Sequence, residues 1–207
     1  WSQVTPLLSG INIKAYLAGV LEGAPDMTAG SIGLSINCTK GVCFNIFGPI
    51  AVNGYEIGVR IWADRTAGWT YFNGNQFDFL GIQYSKYLLK LLSTSTGGAS
   101  TADIGMNTFL HIQLQPKPIS EGGNSTYGVW LDANTAGIKW NNFPNINIWD
   151  WEGADYGVSY CIYLPNNNPS YPTNNCLKNY FTGFWNGVAG KTHYDPGAGN
   201  IFSRRAT

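Results

Sequence analysis

The densest concentration of chemically capable side chains is Trp149-Asp150-Trp151-Glu152-Gly153-Ala154-Asp155. On an extended strand Asp150 and Glu152 share one face, and Trp149 and Trp151 the other. Glycoside hydrolysis needs two carboxylates about 5 to 9.5 Å apart across the scissile bond, normally from separate strands. The Glu residues are Glu22, Glu56, Glu121 and Glu152, and none falls in a pattern that pairs an acid with a base. As a calcium loop, D-x-E-x-x-D lacks most of the oxygen ligands a hard cation demands. There is no G-x-S-x-G, His111 and His193 have no neighbouring Asp and Ser, and no Gly-rich stretch ends in the Lys-Ser/Thr of a phosphate loop. The chain therefore reads as a non-enzyme with no cofactor and no metal. A secreted glycan-active hydrolase using Asp150 or Glu152 is the alternative.

Binding chemistry has more support. Sugar hydroxyls need fixed polar partners, and the apolar faces of sugars need a ring to lie on. Short carboxylates and carboxamides on turns beside aromatics supply both. Such groupings are Asp64, Arg65 and Thr66 with Trp69; Asn73, Asn75, Gln76 and Asp78; Asp132 and Asn134; and the Asp150 cluster. Taken singly, each Asn or Asp is also an ordinary turn former, as are the residues of the loop from Asn166 to Asn175.

Composition narrows the setting. Only 12% of the 207 residues are charged, and twelve basic residues balance twelve acidic ones. That leaves no broad field for nucleic acid or an anionic membrane surface. No apolar run approaches the ~20 residues of a membrane span. The start, Trp1-Ser2-Gln3-Val4-Thr5-Pro6, lacks the basic and apolar regions of a signal peptide and reads as a processed terminus. Four cysteines fall as two local couples, Cys38 with Cys43 and Cys161 with Cys176. Their spacing disfavours zinc and favours disulfides, whose connectivity stays open among three pairings. Disulfides imply an oxidising compartment, the periplasm or the cell exterior.

The elements that must carry these residues are short strands. The chain has 26 Gly, 8 Trp, 12 Tyr and 10 Phe, a mixture that suits strands and turns. Expected strands include Ser31–Asn37, Val42–Phe47, Tyr55–Trp62, Trp69–Phe72, Phe109–Gln115, Tyr127–Leu131, Gly137–Trp140, Asn145–Trp149 and Tyr156–Leu164. Along Phe109–Gln115 polar and apolar residues alternate, which places His111 on a surface. Between Tyr84 and Leu92 the apolar residues fit a short amphipathic helix, with an extended strand as the other reading. No internal repeat stands out. The expectation is all-β: one domain over 1–207, an elongated immunoglobulin-like β-sandwich with at most one short helix.

Two stretches carry a family resemblance: "NGYEIGVRIWADRTAGWTYFNGN" and "FLHIQLQPKPISEGGNSTYGVWL". Together they resemble the N-terminal lectin domain of the G-fimbrial adhesins, two-domain tip adhesins of chaperone-usher pili, of which the best-known type binds N-acetylglucosamine. The matching pieces are Glu56-Ile57-Gly58 through Ile61-Trp62, then Asp64 and Thr66 split by Arg65, then His111 to Pro116. Met106 and Asn107 stand where the family completes its sugar pocket. The resemblance implies a lectin whose site is Asp64, Arg65, Thr66, Trp69, Met106 and Asn107. It also implies a host glycan or glycoprotein receptor, and a pilus adaptor subunit and periplasmic chaperone engaged through a separate pilin domain. Localisation would be the pilus tip, outside the cell. A pilus or surface subunit that binds a host protein and has no sugar site is the remaining alternative.

Overall fold

A sheet can be closed in two ways, by antiparallel hairpins or by coiling the chain so that each turn pairs with the next. In the computed structural model the chain coils. The structure describes residues 6–8, 11–14, 29–65, 70–95, 102–116, 126–134, 137–148, 158–165, 175–185, 193–197 and 199–204. Its entry strands are β1 (Pro6–Leu8), β2 (Ile11–Lys14) and β3 (Ile32–Cys38). One coil then comprises β4 (Gly41–Cys43), β5 (Ile46–Phe47), β6 (Ile50–Asn53) and β7 (Ile57–Arg65). The next comprises β8 (Thr70–Asn73), β9 (Gln76–Phe77), β10 (Leu80–Gln83) and β11 (Tyr87–Ser95), and a third β12 (Ala102–Gly105), β13 (Thr108–Phe109), β14 (Ile112–Gln115) and β15 (Thr126–Asn134). The cycle continues through β16 (Gly137–Lys139), β17 (Asn142–Ile148) and β18 (Val158–Tyr163). It ends with β19 (Asn175–Leu177), β20 (Tyr180–Trp185), β21 (His193–Tyr194) and β22 (Ile201–Arg204).

Equivalent strands stack in parallel into three sheets. The long sheet is β3-β7-β11-β15-β18-β21 and the narrow sheet β4-β8-β12-β16-β19. The third sheet gathers the remaining strands, joined through β17. This parallel solenoid overturns the expected immunoglobulin-like sandwich, whose strands would pair antiparallel. The described residues contain no helix, and Tyr87–Ser95 is a strand in register with β7 and β15. Leu89, Leu91 and Ser93 point inward there, so the apparent helical stripe was two strand faces read together.

An internal repeat does exist, contrary to the expectation. Asn45, Asn75, Asn107, Asn141, Asn179 and Asn200 recur at separations of 30, 32, 34, 38 and 21 residues, each followed two positions on by Phe. Phe47, Phe77, Phe109, Phe143, Phe181 and Phe202 stack inside the coils with neighbouring centroids 4.4 to 5.1 Å apart and rings within 9° of parallel. Each stacked pair adds roughly 0.5–1.5 kcal/mol beyond its burial. Beside them the carboxamides form a ladder. Asn107 Oδ1 accepts from the backbone N–H and Nδ2 of Asn75 (2.9 and 3.1 Å), while its Nδ2 donates to the Phe72 carbonyl and Asn141 Oδ1 (2.8 and 2.9 Å). Asn75, Asn141 and Asn179 repeat the scheme. Aliphatic columns complete the core, such as Ile50-Leu80-Ile112-Ile146 and Val59-Leu89-Val129-Ile162.

The turn that sends each Asn inward needs a residue at positive φ just before it. Phe44, Gly74, Met106, Trp140, Lys178 and Gly199 hold that position, with φ of 57°, 64°, 55°, 57°, 55° and 91°. For the four residues with a Cβ this conformation costs about 1–2 kcal/mol each, and the ladder holds them there. At Gly74 a Cβ would also meet the Phe44 ring at 2.8 Å, so the glycine serves both the turn and the neighbouring ring.

No disulfide joins the four cysteines. Cys38 ends β3 and Cys43 ends β4; Cys161 lies within β18 and Cys176 within β19, so each couple spans two different sheets. The Cys176 Sγ lies 3.8 Å from the Leu131 carbonyl, and burial pushes the Cys38 thiol up to about 11.

Candidate functional site

The outer face of the long sheet gathers the aromatic and cationic side chains. Because strand residues alternate and the coils are in register, one residue type propagates into a row along the axis, with about 4.8 Å between strands. One row is Ile57-Tyr87-Tyr127-Tyr160 and the next is Arg60-Lys90-Trp130-Tyr163-Tyr194. A third is Trp62-Leu92-Asp132. The rings contact one another across rows. Tyr127 and Trp130 meet edge-on at 4.7 Å, as do Trp130 and Tyr163, and Tyr160 stacks on Tyr163 at 5.0 Å. Lys90 Nζ lies 5.2 Å from the Tyr87 ring centre and 4.9 Å from that of Trp130, while the Arg60 guanidinium lies 5.0 Å from that of Trp62. Tyr194, 39% exposed, closes the face at the last coil, and the other rings are half-buried.

Trp62 is oriented by a relay. Its indole N–H donates to Thr94 Oγ1 (2.8 Å), and the Thr94 hydroxyl donates to Asp64 Oδ1 (2.8 Å). Asp64 and Arg65 therefore lie on this sheet, at the end of β7, with Asp64 positioning an aromatic ring through Thr94. Thr66, Trp69, the Asp150 cluster and Asn166–Asn174 lie outside the described residues.

The rest of the expected pocket does not assemble with Asp64. Met106 is 58% exposed at a corner between the narrow sheet and the third sheet. Asn107 is fully buried with every hydrogen-bonding position of its carboxamide used, so it has nothing left for a sugar. Asn75 is likewise a ladder residue. Gln76 donates to Asp78 (2.8 Å), and Asn73 donates to Asp103 Oδ2 (3.3 Å). Burial raises the Asp103 carboxyl above the usual carboxylate range, against the opposing effects of Asn73 and Lys139. His111 sits at the corner between β13 and β14, its Nδ1 2.9 Å from Asn145 Nδ2, so Phe109–Gln115 is two strands with a bend.

Two other surfaces compete. A shallow groove of about 260 Å3 on the third sheet is lined by Phe79, Gly81, Gln83, Gln113 and Asn53, but its amides partly pair with each other, Asn53 to Gln83 at 3.3 Å. Along the corner turn, Phe44, Met106 and Trp140 are exposed at 71%, 58% and 49%. Among the described residues no group of three or more His, Cys, Asp or Glu is placed to hold a metal ion.

The signal for the aromatic rows was present as Tyr87, Tyr127, Trp130, Tyr160 and Tyr163, but only the coil register shows that they share one face. Comparison with protein families, curated proteins and solved structures finds no match.

Proposed function

We propose that this chain is a non-catalytic glycan-binding module whose sugar chain lies along the outer face of the long sheet. The observation that carries the reading is the contiguous set Tyr87, Tyr127, Trp130, Tyr160, Tyr163 and Tyr194, with Lys90 among the rings. Ring faces and edges suit the C–H surfaces of sugars, while the phenol, indole and ammonium donors suit their hydroxyls. A rigid solenoid holds these groups at a fixed repeat, which lowers the ordering cost of binding an extended polymer.

This keeps the adhesive, glycan-directed role that the adhesin resemblance implies, on a different fold and mostly different residues. The pilus adaptor, the chaperone and the tip location were implied through the two-domain sandwich adhesin, and the proposal stands without them. The case for an oxidising compartment rested on disulfides that the structure does not form, so an extracellular setting rests on the glycan reading alone.

The test is a broad glycan array probed with the wild-type chain and with Tyr127→Ser/Trp130→Ser. Selective binding that the double variant loses, with unchanged circular dichroism, supports the proposal. A blank array from folded protein overturns it. A second reading, a protein-binding surface subunit, is favoured by the exposed corner line Phe44, Met106 and Trp140, and predicts receptor binding that survives deglycosylation.

A further inference from the structure

We infer that the glycan recognised by the long sheet is acidic, and that Arg60 and Lys90 together seat its carboxylates. The inference rests on the glycan reading and adds the ligand's charge.

The two residues are directly paired in the register of β7 and β11, so two positive charges stand side by side on adjacent parallel strands. Like charges placed opposite each other in a sheet are destabilising. Proteins usually relieve such a pair with a nearby carboxylate, and Asp132, diagonal to Lys90 on the neighbouring strand, acts on the ammonium in that sense. Arg60 Nε donates to Ser35 Oγ (3.0 Å) and its Nη2 to Asn37 Oδ1 (3.4 Å), both neutral partners. Lys90 is held between the Tyr87 and Trp130 rings. Asp64 is engaged by Thr94, and Asp132 lies one coil from Lys90, in the next outward row toward the strand end.

The half-buried ammonium carries the cost of this arrangement. Burial lowers the Lys90 pKa, Asp132 acts against that, and the smaller effects of Arg60 (lowering) and Glu56 (raising) follow. Two adjacent cations set among rings, with the guanidinium hydrogen-bonded to neutral partners, have the composition of an anion seat. The guanidinium supplies planar, two-pronged recognition of a carboxylate, and the ammonium supplies a point charge. The flanking rings take the sugar C–H faces. Uronic-acid polymers present this combination, a carboxylate on a pyranose that also has an apolar face.

The test uses fragments of pectate, alginate and hyaluronan, each beside its carboxyl-reduced form, titrated into the full chain by calorimetry at two salt concentrations. The inference expects at least one acidic fragment to bind at least tenfold more tightly than its reduced form, with affinity falling as salt rises. Arg60→Gln and Lys90→Met should each weaken that binding at least fivefold. Lys90→Met should also raise the melting temperature of the ligand-free protein, because it removes a half-buried charge whose desolvation outweighs the attraction of Asp132. Equal binding of acidic and reduced forms overturns the inference and leaves the glycan reading standing. No binding to any fragment, with a blank array, overturns both. A Lys90→Met variant that binds the acidic fragment as well as wild type overturns the role of the cation pair.

Discussion

Replacing Asn107 by Ala separates a structural ladder residue from a sugar ligand. Its carboxamide makes four hydrogen bonds inside the coil, and Ala strands the backbone N–H and one Nδ2 hydrogen of Asn75 and the Phe72 carbonyl, while Asn141 Oδ1 keeps the backbone N–H of residue 107. Each buried group left without that partner costs roughly 1–2 kcal/mol. The total is then about 3–6 kcal/mol, against a whole-domain stability of roughly 5–15 kcal/mol. Asn45 is an internal control at the ladder's start, since its side chain makes two such bonds, to the Cys43 carbonyl and Asn75 Oδ1. Asn45→Ala should cost about half as much or less. The assay is urea unfolding followed by Trp fluorescence. With a slope of roughly 2–3 kcal/mol per molar, the midpoint of Asn107→Ala should fall by about 2 M, or the variant should fail to fold. A midpoint within about 0.3 M of wild type would refute the ladder argument. If sugar binding were lost at the same time, Asn107 would return as a ligand.

Three further outcomes follow from the same geometry. Met106→Gly removes a Cβ from a positive-φ turn and should stabilise the chain by roughly 1 kcal/mol in thermal unfolding, with glycan binding unchanged; a loss of binding would restore Met106 to the site. Asp103 has its carboxyl raised by burial, so the folded state takes up its proton more readily than the unfolded state does. Stability should therefore fall as pH rises from the ordinary Asp value of 3.8 through the raised folded value, and Asp103→Asn should flatten that part of the melting-temperature profile; identical profiles would contradict the burial argument. A thiol reagent applied to native protein should label half-exposed Cys43 ahead of the buried Cys38, Cys161 and Cys176. No labelling even after denaturation would mean that disulfides are present after all.

Much of the local structure is legible in the residues. The alternation in Ile112–Gln115 and the outer position of Gln113 follow directly from a period of two, and the strands of Ile32–Cys38 and Thr126–Asn134 lie close to where β-branched and aromatic residues suggest. Topology is not legible in this way. Sandwiches and solenoids ask the same of local sequence, short alternating strands ended by Gly, Asn and Pro. What distinguishes them here is the Asn-x-Phe repeat, and two features hide it. Its spacing drifts from 30 to 38 residues as loops lengthen, and only Gly74 and Gly199 mark the positive-φ turn with glycine. The candidate site fared similarly. Asp64 and Arg65 do lie on the sheet that carries the aromatic face, but Asn107, expected as a sugar ligand, is a buried ladder residue, and its burial depends on neighbours more than thirty positions away. The rows Tyr87-Tyr127-Tyr160 and Lys90-Trp130-Tyr163 exist only after the coils are set in register.

The most direct test of the glycan face is oxidative footprinting of the chain with and without a glycan identified on the array. The account predicts protection of Tyr127, Trp130 and Tyr163, with Met106 and Trp140 oxidised to the same extent in both samples. Protection confined to Phe44, Met106 and Trp140, with the long-sheet rings unchanged, would contradict it.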